Sequence, residues 1–272
     1  MRIEDLFKVR GLSVLITGGA SGIGFAYAQA MAENGARVMV ADVNAEALAR
    51  ATTALTELGA EVAGETVDVT KRADLDRVVA AIVARYGRID VVFVNAGISG
   101  GPGFLSADKT RNPERALELI SDELRTRVLE TNLTSVFRTV QAVVPQMKAQ
   151  GGGRIIVTSS ISATKTEIYV GAAYVSSKAG VAQFVRQAAI ELAKFGILVN
   201  AIAPGPVVTN IGGGRLRESD ARRPFELACP MHEVARPDDL KGAAIYLASP
   251  ASRFVTGAQI VVDGGVTLGE AD

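Results

Sequence analysis

The stretch SVLITGGASGIGFAYAQAMAENGARVMVAD, residues 13–42, decides the fold of this chain. An apolar run leads into a glycine-rich turn, a stretch with helical spacing follows, and a second apolar run ends at Asp42. Both runs have the near-continuous apolar character of strands covered on both faces, which is typical of a parallel sheet. Gly18, Gly22 and Gly24 allow a sharp turn and a close approach to a pyrophosphate, and the helix start presents free N–H groups. The segment therefore predicts a βαβ unit that binds a dinucleotide, although its GxxxGxG spacing differs from the standard GxGxxG fingerprint.

The rest of the chain repeats this alternation of strand and helix. Further strand candidates lie at 64–69, 91–96, 154–160, 197–203 and 259–263. Helical spacing occurs at 22–34, 45–58, 71–86, 121–149, 172–195 and 237–248, with Asn44 and Thr70 as candidate N-caps and Pro237 in a first turn. The alternation predicts an α/β protein: a single-domain, doubly wound Rossmann fold whose seven-stranded parallel sheet carries helices on both faces.

Two long segments interrupt the alternation. No linker divides the sequence, so one dinucleotide-binding and catalytic domain is expected over residues 1–272, with 1–10 as an N-terminal extension. The interruptions are 98–120, which is rich in glycine and proline and includes a short helix from Asn112, and 205–236. Both leave the carboxyl ends of predicted strands, where open α/β sheets bind ligands. Because long loops in a compact domain are usually functional, 205–236 is predicted to contact the substrate.

Composition excludes several classes of function. The 29 Lys+Arg balance 29 Asp+Glu, and a net charge of zero argues against a nucleic-acid partner. One cysteine, Cys229, and one histidine, His232, cannot form an internal disulfide or build a zinc site, so no metal is expected. The opening MRIEDLF lacks the pattern of a signal peptide. The uncharged stretch 195–214 contains asparagine, proline and glycine, so strand plus loop is expected there rather than a membrane span. A soluble, cytoplasmic protein is therefore expected.

Asp42 indicates which dinucleotide is bound. It ends the second predicted strand, 18 residues after Gly24. A carboxylate at that place can accept both hydroxyls of an adenosine ribose and would repel a 2′-phosphate. No Lys or Arg occurs between Gly18 and Ala36, and Val43 follows Asp42. NAD(H) is therefore predicted as the cofactor in preference to NADP(H).

Tyr174 and Lys178 form a candidate catalytic pair. They lie four residues apart in AAYVSSKAG on a predicted helix, so both side chains share one face. A phenol has a reference pKa of about 10 and is a poor base near neutrality, but a neighbouring ammonium favours the phenolate. The pair is thus suited to general acid/base work on an alcohol–carbonyl couple, although the same spacing is also common on solvated helices.

These residues and several others occur in the order that is found in one protein family. The motifs are TGGASGIG at 17–24, Asp68-Val69, Asn95-Ala96-Gly97, Asn132 in ETNLTSVF, Ser160 in IIVTSS, Tyr174-x-x-x-Lys178, Pro204-Gly205 through Thr209, and VTGAQIVVDGG at 255–265. On these motifs the chain resembles the short-chain dehydrogenase/reductase family over nearly its whole length, 11–267.

The resemblance implies a role for each matching residue. Tyr174 would exchange a proton with the substrate oxygen, and Ser160 would hydrogen-bond that oxygen. Lys178 would bind the nicotinamide ribose and lower the Tyr174 pKa, and Asn132 would fix a water of the proton relay. The implied cofactor site consists of the glycine turn with Ser21 and Ile23 for the pyrophosphate, Asp42 for the adenosine ribose, Asp68 and Val69 for the adenine, Asn95, Ala96 and Gly97 alongside the cofactor, and Pro204, Gly205, Val207 and Thr209 near the carboxamide. Hydride would then move between the nicotinamide and the substrate carbon.

Two departures from the family pattern bear on the substrate. Ser160 and Tyr174 are 14 positions apart, one more than usual. Asn95 and Asn132 are 37 positions apart, about ten more than is common in the family, so 98–120 contains an insertion. The predicted substrate pocket comprises Ser160, Ser162, Tyr169, Tyr174 and Pro206, with Ile168, Ile211, Phe225 and Met231 as apolar neighbours.

This mixed pocket leaves the substrate open. A neutral, moderately apolar secondary alcohol or ketone, including cyclic and aromatic ones, is predicted. The alternative is a polyol, sugar or 3-oxoacyl-type substrate, with polar contacts from Lys165, Glu167, Asn210 and His232. A protein that senses NAD without catalysis is a further alternative, but such proteins often lack the Tyr or the Lys; a sugar-nucleotide epimerase would need a further substrate domain. The resemblance also implies a homotetramer built by paired helices, with the VVDGG strand as a second contact.

Overall fold

A computed structural model of the chain describes residues 2–106 and 109–269, so Ala107 and Asp108 of the predicted loop 98–120 lie outside the described residues. Its strands are β1 Ser13–Thr17, β2 Arg37–Asp42, β3 Val62–Thr66, β4 Val91–Val94, β5 Gly153–Thr158, β6 Ile197–Pro204 and β7 Gln259–Val262. They form one parallel sheet in the order β3-β2-β1-β4-β5-β6-β7. The order reverses between β1 and β4, which is where such sheets bind ligands. The predicted doubly wound Rossmann fold with seven parallel strands is confirmed.

Helices cover both faces of this sheet. They are α1 Ile3–Leu6, α2 Gly22–Glu33, α3 Ala45–Glu57, α4 Arg72–Tyr86, α5 Asp122–Leu129, α6 Ser135–Ala149, α7 Ala172–Leu192, α8 Ser219–Leu227 and α9 Lys241–Ala248. Because successive strand residues point to opposite faces, Leu15 and Val92 pack with α4, α6 and α7, whereas Ile16 and Phe93 pack with α2, α3 and α9. Both faces of the central strands are therefore buried. Within the described ranges, no helix combines the length and apolar character needed to cross a membrane.

Two predictions around the third strand are wrong in detail. The strand was expected at 64–69 but ends at Thr66. It lies at the sheet edge and is only partly buried, so it has no continuous apolar run; the buried Val67 and Val69, which suggested one, lie beyond its end. Thr70 does not cap α4 either, because the N-cap is Lys71 and the Thr70 hydroxyl donates to Asp68. Asn44 does cap α3, accepting from the Ala47 N–H.

The predicted helix 121–149 is interrupted near its middle. Ser121 caps α5, and a π-helical turn at Glu130–Thr134 separates α5 from α6. Such turns occur frequently at functional sites. This one places Asn132 inside the protein with no exposed surface.

The two long segments lie at the carboxyl ends of β4 and β6. The described part of segment 98–120 contains two short 3₁₀ turns, Pro113–Arg115 and Leu117–Leu119. Segment 205–236 contains a 3₁₀ stretch at Ile211–Arg217 followed by α8. A backbone hydrogen bond from Val208 N–H to the Ala235 carbonyl closes its base. Both segments therefore lie at the carboxyl edge of the sheet, where parallel sheets of this kind bind ligands.

Candidate active site

The glycine turn between β1 and α2 is closely packed. A Cβ on Gly24 would lie 2.2 Å from the Gly18 carbonyl oxygen, and a Cβ on Gly18 would lie 2.8 Å from the Ala96 Cα. Gly18 also has a left-handed φ of +62°, which L side chains rarely adopt. Ser21 is the N-cap of α2 and Ile23 lies in its first turn. The turn thus presents backbone and a helix N-terminus, a fit for the pyrophosphate of a dinucleotide.

Asn95 holds this turn in place. Its Nδ2 donates to the carbonyls of Gly18 at 3.1 Å and Thr17 at 3.3 Å, while its Oδ1 accepts from the Thr158 hydroxyl at 3.0 Å. One amide therefore connects the ends of β1, β4 and β5. The family resemblance implies that Asn95 lies alongside the cofactor, and the structure adds that its side chain is hydrogen-bonded to the glycine turn.

Asp42 lies beside the same turn. Its two carboxylate oxygens accept from the Ala20 N–H at 3.1 Å and the Asn44 N–H at 3.0 Å. These bonds orient the carboxylate at the end of β2, and the lone pairs that they leave suit two ribose hydroxyls. Val43, the next residue, is exposed.

Asp68 and Val69 follow β3 at the same edge of the sheet. Hydrogen bonds from the Thr70 hydroxyl and N–H, and the nearby Lys71, lower the pKa of the Asp68 carboxyl although partial burial opposes them. The Asp68 N–H in turn donates to Asp74. The local chain thus orients Asp68, and Val69 beside it is buried.

Tyr174, Ser160 and Lys178 come together at the first turns of α7. The Lys178 side chain is buried, with its Nζ 2.8 Å from the Thr158 carbonyl oxygen and 5.6 Å from the centre of the Tyr174 ring. The Ser160 hydroxyl donates to Ser162 Oγ at 3.1 Å and accepts from the Ser162 N–H. The three side chains thus lie together at the carboxyl end of β5, where the Thr158 hydroxyl also donates to Asn95.

Burial controls the titration of this group of side chains. It lowers the pKa of Lys178 to about 8. It also raises the pKa of the Tyr174 phenol; a hydrogen bond with Ser160 opposes that rise and the negative charge of Glu167 adds to it. The sequence led us to expect that Lys178 lowers the Tyr174 pKa. In the described chain, the loss of water around the phenolate raises the Tyr174 pKa by more than the neighbouring groups lower it.

Asn132 connects the segment after β4 to α7. Its Oδ1 accepts from the Ile98 N–H at 2.8 Å, and its Nδ2 donates to the Ile98 carbonyl at 2.9 Å and to Ser177 Oγ at 3.4 Å. Ser177, which sequence reasoning missed, is buried on the helix that carries Lys178. Its position three residues after Tyr174 was the available signal, because that spacing repeats on one helix face. Thr158 was also missed, although it directly precedes the serines of the IIVTSS motif.

The predicted pocket residues are only partly brought together. The rings of Tyr169 and Phe225 meet edge to face with centres 5.5 Å apart, which joins the segment after β5 to α8. Ser162 is buried, and Pro206 lies at the closed base of the loop that carries α8. Met231, in contrast, is 68% exposed, which does not fit the predicted apolar lining.

Lys165 and Cys229 lie against the turn after β7 instead. Lys165 Nζ donates to the Val266 carbonyl at 2.8 Å, so this predicted polar contact of the alternative substrate is engaged elsewhere. The buried Cys229 thiol donates to the Gly264 carbonyl at 3.3 Å. In the described part of the chain, no group of three His, Cys, Asp or Glu residues is placed to hold a metal ion.

The remaining residues of the predicted cofactor site lie at the end of β6 and directly after it. Val207 is buried and forms a bridge with Ala235, and the methyl group of Thr209 would be 3.3 Å from a Cβ on Gly22. A Cβ on Gly205 would meet Asp263 at 2.8 Å, so Pro204 and Gly205 pack directly on the turn after β7. Of these residues, Thr209 is the one whose side chain lies against the glycine turn.

Comparison with known proteins gives a consistent result. A family model described as enoyl-(acyl carrier protein) reductase matches residues 18–267. L-rhamnose 1-dehydrogenase (NAD(P)(+)) of Azotobacter vinelandii is 36% identical over 93% of this chain and 96% of its own. Cyclohexanol dehydrogenase of a Rhodococcus species is 34% identical, with coverage of 97% and 99%. A short-chain type dehydrogenase/reductase from Mycobacterium marinum has a similar crystal structure, with a TM-score of 0.88 at 34% identity and coverage of 98% and 99%.

Fold, site and relatives together define a class, the oxidoreductases that act on alcohols and ketones with a nicotinamide cofactor. Within that class, the chain belongs to the short-chain dehydrogenase/reductase family.

Proposed function

We propose that this protein is an NAD-dependent dehydrogenase/ketoreductase that moves a hydride between nicotinamide and a secondary alcohol or ketone, with Tyr174 as the general acid/base. One observation carries the proposal. Thr158 accepts from Lys178 with its carbonyl and donates to Asn95 with its hydroxyl, and Asn95 holds Gly18. A single residue thus fixes the distance between the catalytic lysine and the phosphate turn, as positioning catalysis requires.

The residues of the chain fit the cofactor. We assign the pyrophosphate to the glycine turn, the adenosine ribose to Asp42, the adenine to Asp68 and Val69, the nicotinamide ribose to Tyr174 and Lys178, and the rest of the nicotinamide end to Asn95, Ala96, Gly97, Pro204, Gly205, Val207 and Thr209. The close packing of Gly18 and Gly24 supports this assignment, since a side chain at either position would collide with neighbouring protein atoms and force the tight turn open. When bound, nicotinamide supplies the hydride chemistry, and the chain supplies orientation and proton transfer.

The proton chemistry falls to Tyr174. Because burial raises its pKa, the phenol stays protonated near neutral pH and is ready to donate to a carbonyl oxygen. Ser160 is proposed to donate a hydrogen bond to the same oxygen. In the direction of oxidation, the Lys178 ammonium, 5.6 Å from the centre of the Tyr174 ring, would stabilise the phenolate. Asn132, anchored on Ile98, is proposed to hold a water that continues the relay from Lys178.

The favoured substrate is a neutral, moderately apolar secondary alcohol or ketone. The edge-to-face contact of Tyr169 with Phe225 supports it, because it joins two aromatic rings of the predicted pocket segments into one apolar surface. A polyol or sugar is the second candidate, supported by Glu167, a half-buried carboxyl without a hydrogen bond within the described chain. The names of the two relatives, a cyclohexanol and a rhamnose dehydrogenase, match one candidate each. Rates with cyclohexanol and with L-rhamnose distinguish them.

We further propose how the chain is organised. Residues 1–272 would act as one dinucleotide-binding and catalytic domain, with 1–10 as an extension, 98–120 as an inserted loop and 205–236 as the substrate loop. The continuous sheet supports a single unit, because every described strand pairs with its neighbour in it. The functional protein is proposed to be a homotetramer.

Tyr174→Phe tests the assignment. The variant is expected to bind NADH within about twofold of the parent, since the ring is retained, and to lose about 10²–10⁴-fold in turnover, the usual contribution of a general acid/base. Turnover is read from NADH absorbance with cyclohexanol and with L-rhamnose. Tyr246→Phe on α9 is the matched control and should change neither value. Retained turnover in Tyr174→Phe would remove Tyr174 from this role.

A further inference from the structure

The inserted loop 98–120 pairs with the segment that precedes α7. Pro102 forms an antiparallel bridge with Val170, and the Leu105 N–H donates to the Ile168 carbonyl at 3.2 Å. The two segments in which the sequence is longer than the family pattern thus meet in one short ribbon. The inserted loop therefore has a direct connection to the helix that carries the candidate general acid/base.

At the end of this ribbon, two glycines bring the backbones into closer contact. The Gly171 N–H donates to the Gly101 carbonyl at 3.2 Å, and a Cβ on Gly171, the N-cap of α7, would lie 2.5 Å from the Gly100 carbonyl oxygen. A Cβ on Gly100 would in turn lie 2.8 Å from the Tyr174 Cβ and 3.1 Å from the Tyr174 nitrogen. The backbone of the inserted loop thus rests directly on Tyr174, with no room for a side chain between them.

Rotation of a side chain could not relieve this contact. Non-bonded carbon atoms normally approach to about 3.5–4.0 Å, whereas a methyl group on Gly100 would stand 2.8 Å from an atom whose position the Tyr174 backbone sets. A side chain at position 100 would therefore force the two backbones apart by roughly 0.5–1 Å.

Hydrogen bonds hold the chain on both sides of Gly100. Before it, the Asn132 side chain binds the Ile98 N–H at 2.8 Å and the Ile98 carbonyl at 2.9 Å. After it, the Gly101 carbonyl accepts from the start of α7. Because Asn132 is fully buried, this stretch cannot swing outward as a free loop would. A change at Gly100 is therefore passed at least in part to Tyr174.

We propose that Gly100 is a positioning residue of the reaction: it lets the inserted loop close on α7 and thereby sets the place of the Tyr174 hydroxyl relative to Ser160 and the cofactor. The inference rests on the proposed role of Tyr174 as general acid/base. Proton transfer requires a heavy-atom separation of about 2.6–3.2 Å, and a displacement of about 1 Å can lower a rate about 100-fold. Gly100 contributes no group of its own, so its effect is the close approach alone.

Gly100→Ala tests the inference. Its kcat is expected to fall about 10–100-fold, while KM and the NADH affinity stay within about threefold of the parent, since the pocket side chains and the glycine turn are retained. Gly242→Ala on α9 is the matched control, because a Cβ there would meet no other part of the described chain within 4 Å. Parent-like kcat in Gly100→Ala, or loss of NADH binding together with turnover, would overturn the inference.

A double-mutant cycle separates positioning of the hydroxyl from general damage. In the Tyr174→Phe background, Gly100→Ala should lower the residual rate less than about twofold, because the group that it misplaces is already absent. Single turnovers with enzyme in excess over NADH make rates about 10⁴-fold below the parent measurable. Equal fold-losses in both backgrounds would overturn the inference. Retained turnover in Tyr174→Phe would instead contradict the proposed function, whereas loss there with a parent-like Gly100→Ala would remove only the positioning role.

The displacement can also be measured without turnover. Crystal structures of the parent and of Gly100→Ala are expected to differ by roughly 0.5–1 Å in the place of the Tyr174 Cβ relative to β5. The hydrogen bond of Lys178 to the Thr158 carbonyl, one turn further along α7, should remain. An unmoved Tyr174 would show that the inserted loop yields instead, and the inference would be wrong whatever substrate the enzyme uses.

Discussion

Lys178 illustrates how burial shapes a single residue of this site. Its ammonium donates to one carbonyl oxygen, and the loss of water around it lowers its pKa to about 8. The lowered value has a consequence for stability as well as for chemistry, because the unfolded chain keeps the proton up to the ordinary lysine pKa of about 10.4.

The first prediction therefore concerns pH and stability. Between about pH 8 and 10, the unfolded state binds more protons at Lys178 than the folded state, so this residue makes the free energy of unfolding rise with pH. Its stabilising contribution is present above the unfolded pKa and is lost as pH falls through about 8. Urea unfolding at fixed protein concentration should show the parent gaining about 1–2 kcal/mol relative to Lys178→Met between pH 8 and 9.5. Parallel curves for the two proteins would contradict a lowered pKa.

Asp42 carries the second prediction, on the choice of cofactor. Asp42→Ala should weaken NADH binding about 10–100-fold, because it removes a charged acceptor for ribose hydroxyls, and it should strengthen NADPH binding by removing repulsion. Asp42→Asn keeps one oxygen acceptor without the charge, so it separates repulsion from hydrogen bonding. Fluorescence titration of the three proteins with both cofactors measures all six affinities. Tighter binding of NADPH than NADH by the parent would show the assignment to be wrong.

For single residues, the sequence indicated which side chains belong to the candidate site, but it gave little information about the contacts between them. The spacing of Tyr174 and Lys178 placed both on one helix, which is what α7 shows. The spacing could not show that Thr158 joins Lys178 to Asn95, since this contact depends on β4 and β5 being adjacent. The direction of the Tyr174 pKa was also missed, because desolvation depends on packing from distant parts of the chain.

Among the elements, α8 is weakly anchored, and a substitution on it has a clear predicted effect. None of its residues is buried, and the Phe225 ring meets Tyr169 across the predicted pocket. Phe225→Ala should raise the KM for cyclohexanol about 2–10-fold, the equivalent of one aromatic pair, with kcat and NADH affinity nearly unchanged. Leu227→Ala on the same helix is the control, because Leu227 is 56% exposed. A similar KM increase in both variants would show that α8 as a whole was disturbed rather than a substrate contact.

The sequence predicted which strands and helices are present better than it predicted where they begin, end or are interrupted. Apolar periodicity located every strand, but β3 was displaced because an edge strand is only half covered. The helical spacing over 121–149 was real, yet it contained no sign of the π turn at Glu130–Thr134. That turn places the Asn132 amide on the Ile98 backbone, a long-range contact that no local pattern records.

For the whole molecule, the remaining prediction is the assembly. Phe137 on α6 and Phe184 on α7 pack in a tilted arrangement with ring centres 4.8 Å apart, and Phe137 and Ile190 are 47% and 77% exposed. Val261 on the edge strand β7 is also 44% exposed, which offers a second contact. Surface of this kind on two neighbouring helices is usually covered by a partner, and closed symmetric assemblies are the common result. Light scattering after gel filtration should therefore give the mass of four chains of 28.4 kDa each.

Ile190→Glu should reduce that mass to two chains or one, because a charge in an apolar interface is left without a partner. Leu58→Glu is the matched control: Leu58 is 49% exposed at the end of α3, which covers the other face of the sheet. The control should keep the parent mass. A monomeric parent would contradict the assembly while leaving the catalytic assignment intact, since the Tyr174, Ser160 and Lys178 contacts all lie within one chain.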